Sequence, residues 1–204
     1  MKDCKALLLP NNYYHVFNEA VGSEKLFVIA DNYRYFFQRF NSYISPLADL
    51  LCFCLLPSHF HFFIRIKDIN TITTRMGVLN YRHGHSPDQI PVFLLQQFSN
   101  CFNAYTKAFN KQQIRKGKLF TEPFNRKAIT DPECYAKIVH YIHANPVHHR
   151  FCSRIKGWPY SSYHELINQK TCWIKHEEVI KWFGSVEEFK TIHEQAIERK
   201  FTNK

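Results

Sequence analysis

The chain has 204 residues, a hydrophobic content of 45% and a formal net charge of +10, from 27 Lys and Arg against 17 Asp and Glu. This composition is typical of a folded chain of one large or two small domains and excludes a disordered tail. Because no apolar run approaches the roughly 20 residues of a membrane-spanning helix, we expect no membrane insertion. The positive charge indicates a polyanionic partner, with nucleic acid as the first candidate and a membrane surface as the second.

Cysteine usage and the N-terminal segment both indicate a cytoplasmic protein. Seven cysteines, an odd number in a chain of this length, are typical of reduced thiols rather than of a disulfide framework. The apolar part of the opening MKDCKALLLP is too short for a signal peptide, and no small-residue cleavage site follows it.

The first third of the chain contains three predicted strands and one predicted helix. The segment NYYHVF is aromatic and β-branched, which predicts a strand, and DNYRYFFQRFNSY has helical periodicity. The run DLLCFCLL predicts a strand covered on both faces, whereas HFHFFIRI alternates with a period of two. These elements occupy residues 12–17, 31–43, 49–56 and 59–66.

The rest of the chain is predicted to be mostly helical around one further strand region. Residues 67–88 are polar and contain two glycines, so we expect a mobile connector. A helix that starts at Asp131-Pro132 should end near Asn145-Pro146, because the residue before a proline disfavours the helical conformation. The other predictions are a helix over 91–110, a basic turn over 111–118, a strand or strand pair over 119–129 interrupted at Pro123, a turn over 157–163, and short helices over 175–183 and 186–200.

This order of elements predicts an α+β fold, with one antiparallel sheet and helices packed on one face. The other face would then be open to ligands. The alternation of HFHFFIRI places His59 and His61 on one face of a strand, with their Cα atoms about 6–7 Å apart. That separation suits two imidazoles that share a metal ion, although two histidines without a ligand would give the same pattern.

Cys52 and Cys54 repeat the two-residue spacing on the preceding strand. A zinc site of cysteine and histidine ligands is therefore conceivable. The alternative is that a strand buried on both faces uses the two cysteines as small apolar side chains.

The helix that starts at Asp131 has a second distinctive pair of residues. Tyr141 and Asn145 lie one turn apart, at the margin of the apolar stripe that Tyr135, Val139 and Ile142 form. A tyrosine there can pack its ring and direct its hydroxyl over the open face of the sheet. The alternative is an ordinary interfacial tyrosine.

Together these motifs resemble the single-tyrosine HUH transposases, and most closely the REP-associated tyrosine transposases, which act on single-stranded DNA hairpins. The resemblance rests on LLPSHFHFFIRI, YAKIVHYIHANPVHHR and GWPYSSY, which occur in the family's order. It extends to YYHVFNEAVGSEKLF, GKLFTEPFNRKAI and EEVIKWFGSVEEF, and so covers nearly all of residues 13–189.

The resemblance implies a role for each matching residue. His59 and His61 match the family's metal-binding pair, and Tyr141 matches its nucleophile. Asn145 falls where related enzymes place a third polar ligand or a residue that orients the metal. The implied cofactor is Mg²⁺ or Mn²⁺. The implied activity is DNA nicking and strand joining through a 5′-phosphotyrosine.

The family also implies the architecture and the location of the chain. We expect a ferredoxin-like sheet in a catalytic domain over residues 1–150, followed by a small helical extension over 151–204. The expected location is the cytoplasm, in association with the nucleoid, and the chain would act as a monomer or homodimer.

The proposed chemistry has a clear physical requirement. A tyrosine phenol has an ordinary pKa near 10, so forming its phenolate at pH 7 costs about 4 kcal/mol. A divalent cation on the scissile phosphate offsets this cost by polarising phosphorus and accepting the charge of the leaving group. The covalent link keeps the phosphodiester energy, so rejoining needs no nucleotide cofactor.

Basic and aromatic residues are the candidate contacts to single-stranded or hairpin DNA. Lysines and arginines would contact phosphates, and Trp158 would stack on an unpaired base. The alternatives are solvated surface charges and, for Trp158, a packed turn. The candidates are Lys111, Arg115, Lys116, Lys118, Arg126, Lys127, His149, Arg150 and Trp158.

Two other functions fit parts of the sequence. One is a catalytically silent, transposase-derived regulator that binds hairpin nucleic acid, and the other is an unrelated structural or zinc-stabilised domain. The presence of His59, His61 and Tyr141 together favours the enzyme over the silent relative. Tyr105 is the runner-up for the nucleophile.

Overall fold

A computed structural model of the chain describes residues 5–82, 86–168 and 173–201, the last seven as backbone alone. Its centre is a sheet of four antiparallel strands in the order β2-β3-β1-β4. The strands are β1 (Tyr13–Glu19), β2 (Ala48–Leu56), β3 (His59–Ile66) and β4 (Asn125–Ala128).

Seven α-helices accompany the sheet among the described residues. No described helix is both long and apolar enough to cross a membrane. The helices are α1 (Ala30–Tyr43), α2 (Ile69–Val78), α3 (Ile90–Gln112), α4 (Tyr135–His148), α5 (Tyr163–Asn168), α6 (His176–Lys181) and α7 (Val186–Phe201).

The predicted α+β class with an antiparallel sheet is confirmed. The order of elements up to β4 is the β-α-β-β-α-β arrangement of ferredoxin-like folds, with α2 as an additional helix between β3 and α3. The helices, however, are not confined to one face. Phe36 of α1 packs against Phe60 and Phe62 on one face. Tyr135 of α4 packs against Tyr13 and Phe63 on the other face, because α4 also carries an apolar stripe that must be buried.

Residues after position 150 cover the outer edge of β2. The Leu55 N–H donates to the Tyr160 carbonyl at 2.8 Å, the Ser162 N–H donates to the Phe53 carbonyl at 3.0 Å, and the Lys175 N–H donates to the Leu50 carbonyl at 3.0 Å. These bonds satisfy backbone groups that an edge strand would expose. The domain division at residue 150 stays a prediction.

The connector predicted over 67–88 contains helix α2, so that prediction is wrong for residues 69–78; residues 83–85 lie outside the described residues. The helix begins where the Asp68 carboxylate accepts a hydrogen bond from the Thr71 N–H at 3.0 Å. Its inner face carries Ile72 and Met76, which are four residues apart and fully buried. A cap and a short apolar stripe therefore outweigh the polar composition.

Helix α4 continues past Pro146 instead of ending there. It ends when the Phe151 N–H donates to the Pro146 carbonyl at 2.8 Å and the Arg150 N–H donates to the Val147 carbonyl at 3.0 Å. Arg150 has a φ of 61°, so this is a Schellman ending with Arg150 in the left-handed conformation. The extra turn carries His148 and His149.

The strand region predicted over 119–129 is shorter and divided in the structure. Phe120 forms an isolated bridge with Ala20, and the regular strand β4 begins only at Asn125, after the predicted break at Pro123. Both pieces extend the sheet beyond β1.

Candidate functional site

The candidate site lies on the face of the sheet that α4 partly covers. His59 and His61 both point to this face, as the alternation predicts, with ring centroids 5.3 Å apart. His59 is half-buried and His61 is buried. The predicted histidine pair is therefore present and sits at the border between the packed and the accessible part of the face.

Helix α4 brings the predicted tyrosine and asparagine to the same place. The Tyr141 ring lies 5.9 Å from the His61 ring, edge-on, and 43% of the residue is exposed. The Asn145 side-chain NH₂ donates to the Tyr141 carbonyl at 3.0 Å. The Asn145 side chain also acts on both imidazoles, because it raises the pKa of His59 and of His61 against the effect of burial.

Two more histidines complete the cluster. His15 of β1 is buried, and its Nε2 lies 2.9 Å from Nδ1 of His61. His149, carried by the extra turn of α4, has its ring 4.6 Å from that of His59. The sequence reasoning missed His15, although the alternation of YYHVF places it on one face of its strand, and it assigned His149 only to DNA contact.

Burial keeps the imidazoles of His15, His59 and His61 neutral. Desolvation, with a smaller contribution from the neighbouring histidines, lowers the pKa of His61 to about 2, whereas Asn145 opposes the shift. Desolvation also lowers the pKa of His59 to about 4. The same cause, with the charge of Lys127, lowers the pKa of His15 to about 4. Each ring therefore keeps a nitrogen lone pair at neutral pH, which a metal ion needs.

The donor set would give a divalent cation three protein ligands and leave several positions open. It consists of two neutral imidazoles and one amide oxygen from His59, His61 and Asn145, which leaves room for phosphate and water oxygens. Among residues with described side chains, no group of three or more His, Cys, Asp or Glu has the geometry of a metal site. An amide as the third donor is consistent with that finding.

The zinc alternative finds no support in the geometry of the cysteines. Cys52 and Cys54 are both fully buried within β2. Burial raises the pKa of each thiol well above its ordinary value, so both cysteines are neutral thiols in the metal-free protein. The two residues act as small apolar side chains.

A buried polar chain holds the back of α4. The Phe53 N–H donates to Ser162 Oγ at 2.9 Å, and Ser162 Oγ lies 2.7 Å from Nε2 of His143. Nδ1 of His143 lies 2.9 Å from Nε2 of His193, whose Nδ1–H donates to the Phe189 carbonyl at 2.7 Å. Burial lowers the pKa of both histidines, so the rings are neutral and the donors run in one direction, from β2 through α4 to α7.

Most of the predicted DNA-contacting lysines and arginines lie on the surface. Lys111, Lys116 and Arg150 are exposed. Lys118 is exposed and pairs with Glu122 at 2.8 Å, whereas the Arg115 guanidinium bonds with Asn110, Glu24 and the Lys118 carbonyl. Their role in DNA binding stays a prediction.

Lys127 and the aromatic ring beside it lie close to the histidines. The Lys127 ammonium sits 5.8 Å from the centre of the Phe17 ring, and that ring is 5.7 Å from the His61 ring. Phe17 is half-buried. This predicted DNA-contacting lysine is therefore at the border of the site.

Two of the predicted DNA contacts are used inside the protein. Arg126 is only 7% exposed, and its guanidinium donates to the carbonyl oxygens of Ala6, Phe124 and Lys5, so it has a structural role in place of the predicted one. The Trp158 indole N–H donates to the Leu55 carbonyl at 2.9 Å, which matches the packed-turn alternative.

Tyr105, the runner-up nucleophile, is buried among the helices of the opposite face. Its hydroxyl donates to the Leu26 carbonyl, and burial raises its pKa above the ordinary value of a phenol. It has no access to the histidines, so the geometry favours Tyr141.

This arrangement of sheet and helices is the fold of a tyrosine transposase of known structure. A solved structure of a REP-associated tyrosine transposase bound to a REP hairpin matches with a TM-score of 0.56, over 83% of this chain and 87% of that chain. The sequence identity is 15%, so the match establishes the fold alone.

A sequence relative has the same designation. The chain is 27% identical over 118 residues to a Haemophilus influenzae protein that bears the provisional name REP-associated tyrosine transposase. The match covers 57% of this chain and 59% of the relative, little more than half of each. No family model matches the chain. The resemblance to REP-associated tyrosine transposases that the motifs predict is thus confirmed.

Proposed function

We propose that the chain is a transposase-type enzyme that nicks and rejoins single-stranded or hairpin DNA through Tyr141, with the help of a divalent cation. The observation that carries this proposal is the position of the Tyr141 phenol beside His61, with Asn145 one turn further along the same helix. The net charge of +10 is consistent with a polyanionic partner.

The residues of the site have separate tasks. His59, His61 and the Asn145 amide oxygen would hold Mg²⁺ or Mn²⁺, which neutralises charge on the scissile phosphate when bound. Tyr141 gives up its phenolic proton to solvent water and attacks phosphorus, and the leaving 3′-oxygen takes up a proton from water. The bond from phosphorus to the 3′-oxygen breaks, which leaves a 5′-phosphotyrosine and a free 3′-hydroxyl. Attack by a 3′-hydroxyl on the phosphotyrosine then joins the strands.

The nucleophile and the histidine pair come from one chain. Tyr141 and His61 approach within 5.9 Å inside a single protomer, so we propose that cleavage occurs in cis and that a monomer suffices. A mixture of Tyr141→Phe and His61→Ala proteins then stays inactive. Restored cleavage in that mixture would instead show that the site is shared between protomers.

The proposed nucleophile is tested by trapping the covalent intermediate. Hairpin DNA carrying a 5′ or a 3′ label is incubated with the protein and Mn²⁺, and the products are separated on a denaturing gel. We expect a protein–DNA adduct that retains only the label on the 3′ side of the nick and that is absent in Tyr141→Phe. The adduct should persist in Tyr43→Phe, a tyrosine of α1 on the opposite face.

Two results would contradict this assignment. An adduct in Tyr141→Phe at the wild-type level would exclude Tyr141 as the nucleophile. Loss of the adduct in Tyr105→Phe, with fold and hairpin affinity retained, would transfer the role to the runner-up. Hairpin binding without an adduct in the wild-type protein would favour the silent regulator.

A further inference from the structure

His15 belongs to the site through a hydrogen bond to His61 rather than through exposure. It lies on β1, next to β3, and it is buried. In the register of the two strands, His15 is opposite Phe63 and His61 is opposite Phe17, so the two histidines are diagonal neighbours on one face. The two backbones therefore fix the approach of Nε2 of His15 to Nδ1 of His61, at 2.9 Å.

This contact determines which nitrogen of His61 is available to a cation. Because Nδ1 faces His15, only Nε2 can be a ligand atom. A neutral imidazole that offers the Nε2 lone pair carries its proton on Nδ1, and that proton needs an acceptor in a buried place. Nε2 of His15 is within hydrogen-bonding distance and supplies that acceptor.

We propose that His15 is a positioning residue for cation binding: it holds the His61 ring in place and keeps its proton on Nδ1, so that Nε2 is free for the metal. This inference rests on the proposed function, because it assumes that His61 is a ligand. Outer partners of this kind fix the tautomer and orientation of ligating histidines, and their loss costs about 10- to 100-fold in metal affinity.

A purely structural role for His15 makes a different prediction. The His15 ring stacks on the Phe17 ring at 4.8 Å, so a phenyl ring could fill the same space. In His15→Phe the shape is kept and the acceptor is lost. In His15→Gln the side-chain amide reaches the former position of Nε2 and can accept or donate, whereas the shorter His15→Asn falls short of it.

Binding of Mn²⁺ to the DNA-free protein, measured by titration calorimetry, separates the two roles. For the positioning role we expect His15→Phe and His15→Asn to lose about 10- to 100-fold in affinity, and His15→Gln to stay within about threefold of the wild type. Circular dichroism and hairpin affinity without metal should be unchanged. Wild-type Mn²⁺ affinity in a folded His15→Phe protein would overturn the inference.

A second measurement needs no variant of His15. In the wild-type protein saturated with Mg²⁺, the imidazole ¹⁵N spectrum should show His61 protonated at Nδ1 and not at Nε2; the reverse pattern would refute the positioning role. Mn²⁺ binding by His59→Ala and His61→Ala distinguishes a wrong metal site from a wrong role for His15. If both still bind Mn²⁺ as the wild type does, the proposed metal site is wrong; if both lose Mn²⁺ and His15→Phe does not, only the role of His15 is wrong.

Discussion

Replacing Ser162 by alanine tests the buried polar chain that holds α4. Ser162 is fully buried, and its Oγ accepts the Phe53 N–H at 2.9 Å and lies 2.7 Å from Nε2 of His143. Ser162→Ala leaves both partners unpaired in the core. Each unsatisfied buried group costs about 1–3 kcal/mol, so the free energy of unfolding should fall by about 2–6 kcal/mol.

The neighbouring serine supplies a matched control. Ser161 is also buried, but its Oγ makes one hydrogen bond, to the Trp158 carbonyl at 3.3 Å, so Ser161→Ala should cost about 1 kcal/mol or less. Urea unfolding at neutral pH, followed by circular dichroism, measures both variants. A loss below about 0.5 kcal/mol in Ser162→Ala, or an equal loss in the two variants, would refute the chain of hydrogen bonds as a source of stability.

Three further predictions concern the metal, acid stability and the basic residues. His59→Ala and His61→Ala should abolish cleavage but keep hairpin affinity, measured in a binding assay, within about tenfold of the wild type. The reason is that phosphate and stacking contacts supply most of the binding. An equal loss of hairpin binding in both variants would indicate a structural metal. Burial lowers the pKa of His193 to about 3 in the folded protein, whereas a histidine in the unfolded chain has a pKa near 6.5. As the pH decreases below about 6.5, the unfolded state therefore binds protons that the folded state does not, and the free energy of unfolding decreases. In urea unfolding, His193 should therefore contribute a loss of about 2 kcal/mol in the free energy of unfolding between pH 7 and pH 5, and His193→Gln should remove this loss; an equal loss in the variant would contradict a neutral buried ring. Lys116→Ala should reduce the slope of log hairpin affinity against log salt concentration by the equivalent of about one phosphate contact. Arg126→Met should lower the free energy of unfolding and leave that slope unchanged. The opposite pattern of slopes, measured by fluorescence anisotropy, would contradict the assigned roles.

The sheet could be predicted from the sequence because its strands have strong local patterns. The alternation of HFHFFIRI and the continuous apolar run DLLCFCLL each fix a strand and its covered faces. Helix α2 could not be predicted in the same way, since its apolar stripe consists of only Ile72 and Met76 within a polar segment. The continuation of α4 past Pro146 depends on the Schellman ending at Arg150, which propensity alone does not reveal.

Residues of the candidate site could be predicted only where their spacing along one strand or one helix places them on the same face. His59 with His61, and Tyr141 with Asn145, are pairs of this kind, and the structure brings the two pairs together. His15 escaped because its role depends on the register between β1 and β3, a relation across strands that no local pattern records. Arg126 was misassigned for a similar reason, since its acceptors, apart from the Phe124 carbonyl, lie on a distant part of the chain.

The buried hydrogen bonds that hold α4 in place determine what has to move during the proposed reaction. Its rear is tied to β2 and α7 through His143, while Tyr141 stands at the accessible front of the same helix. Because α4 is tied to both β2 and α7, its backbone is held in place. The Tyr141 phenol then moves mainly by rotation of its side chain. In successive cleavage and joining steps of the proposed reaction, the DNA ends would therefore exchange places while the helix that carries Tyr141 stays in position.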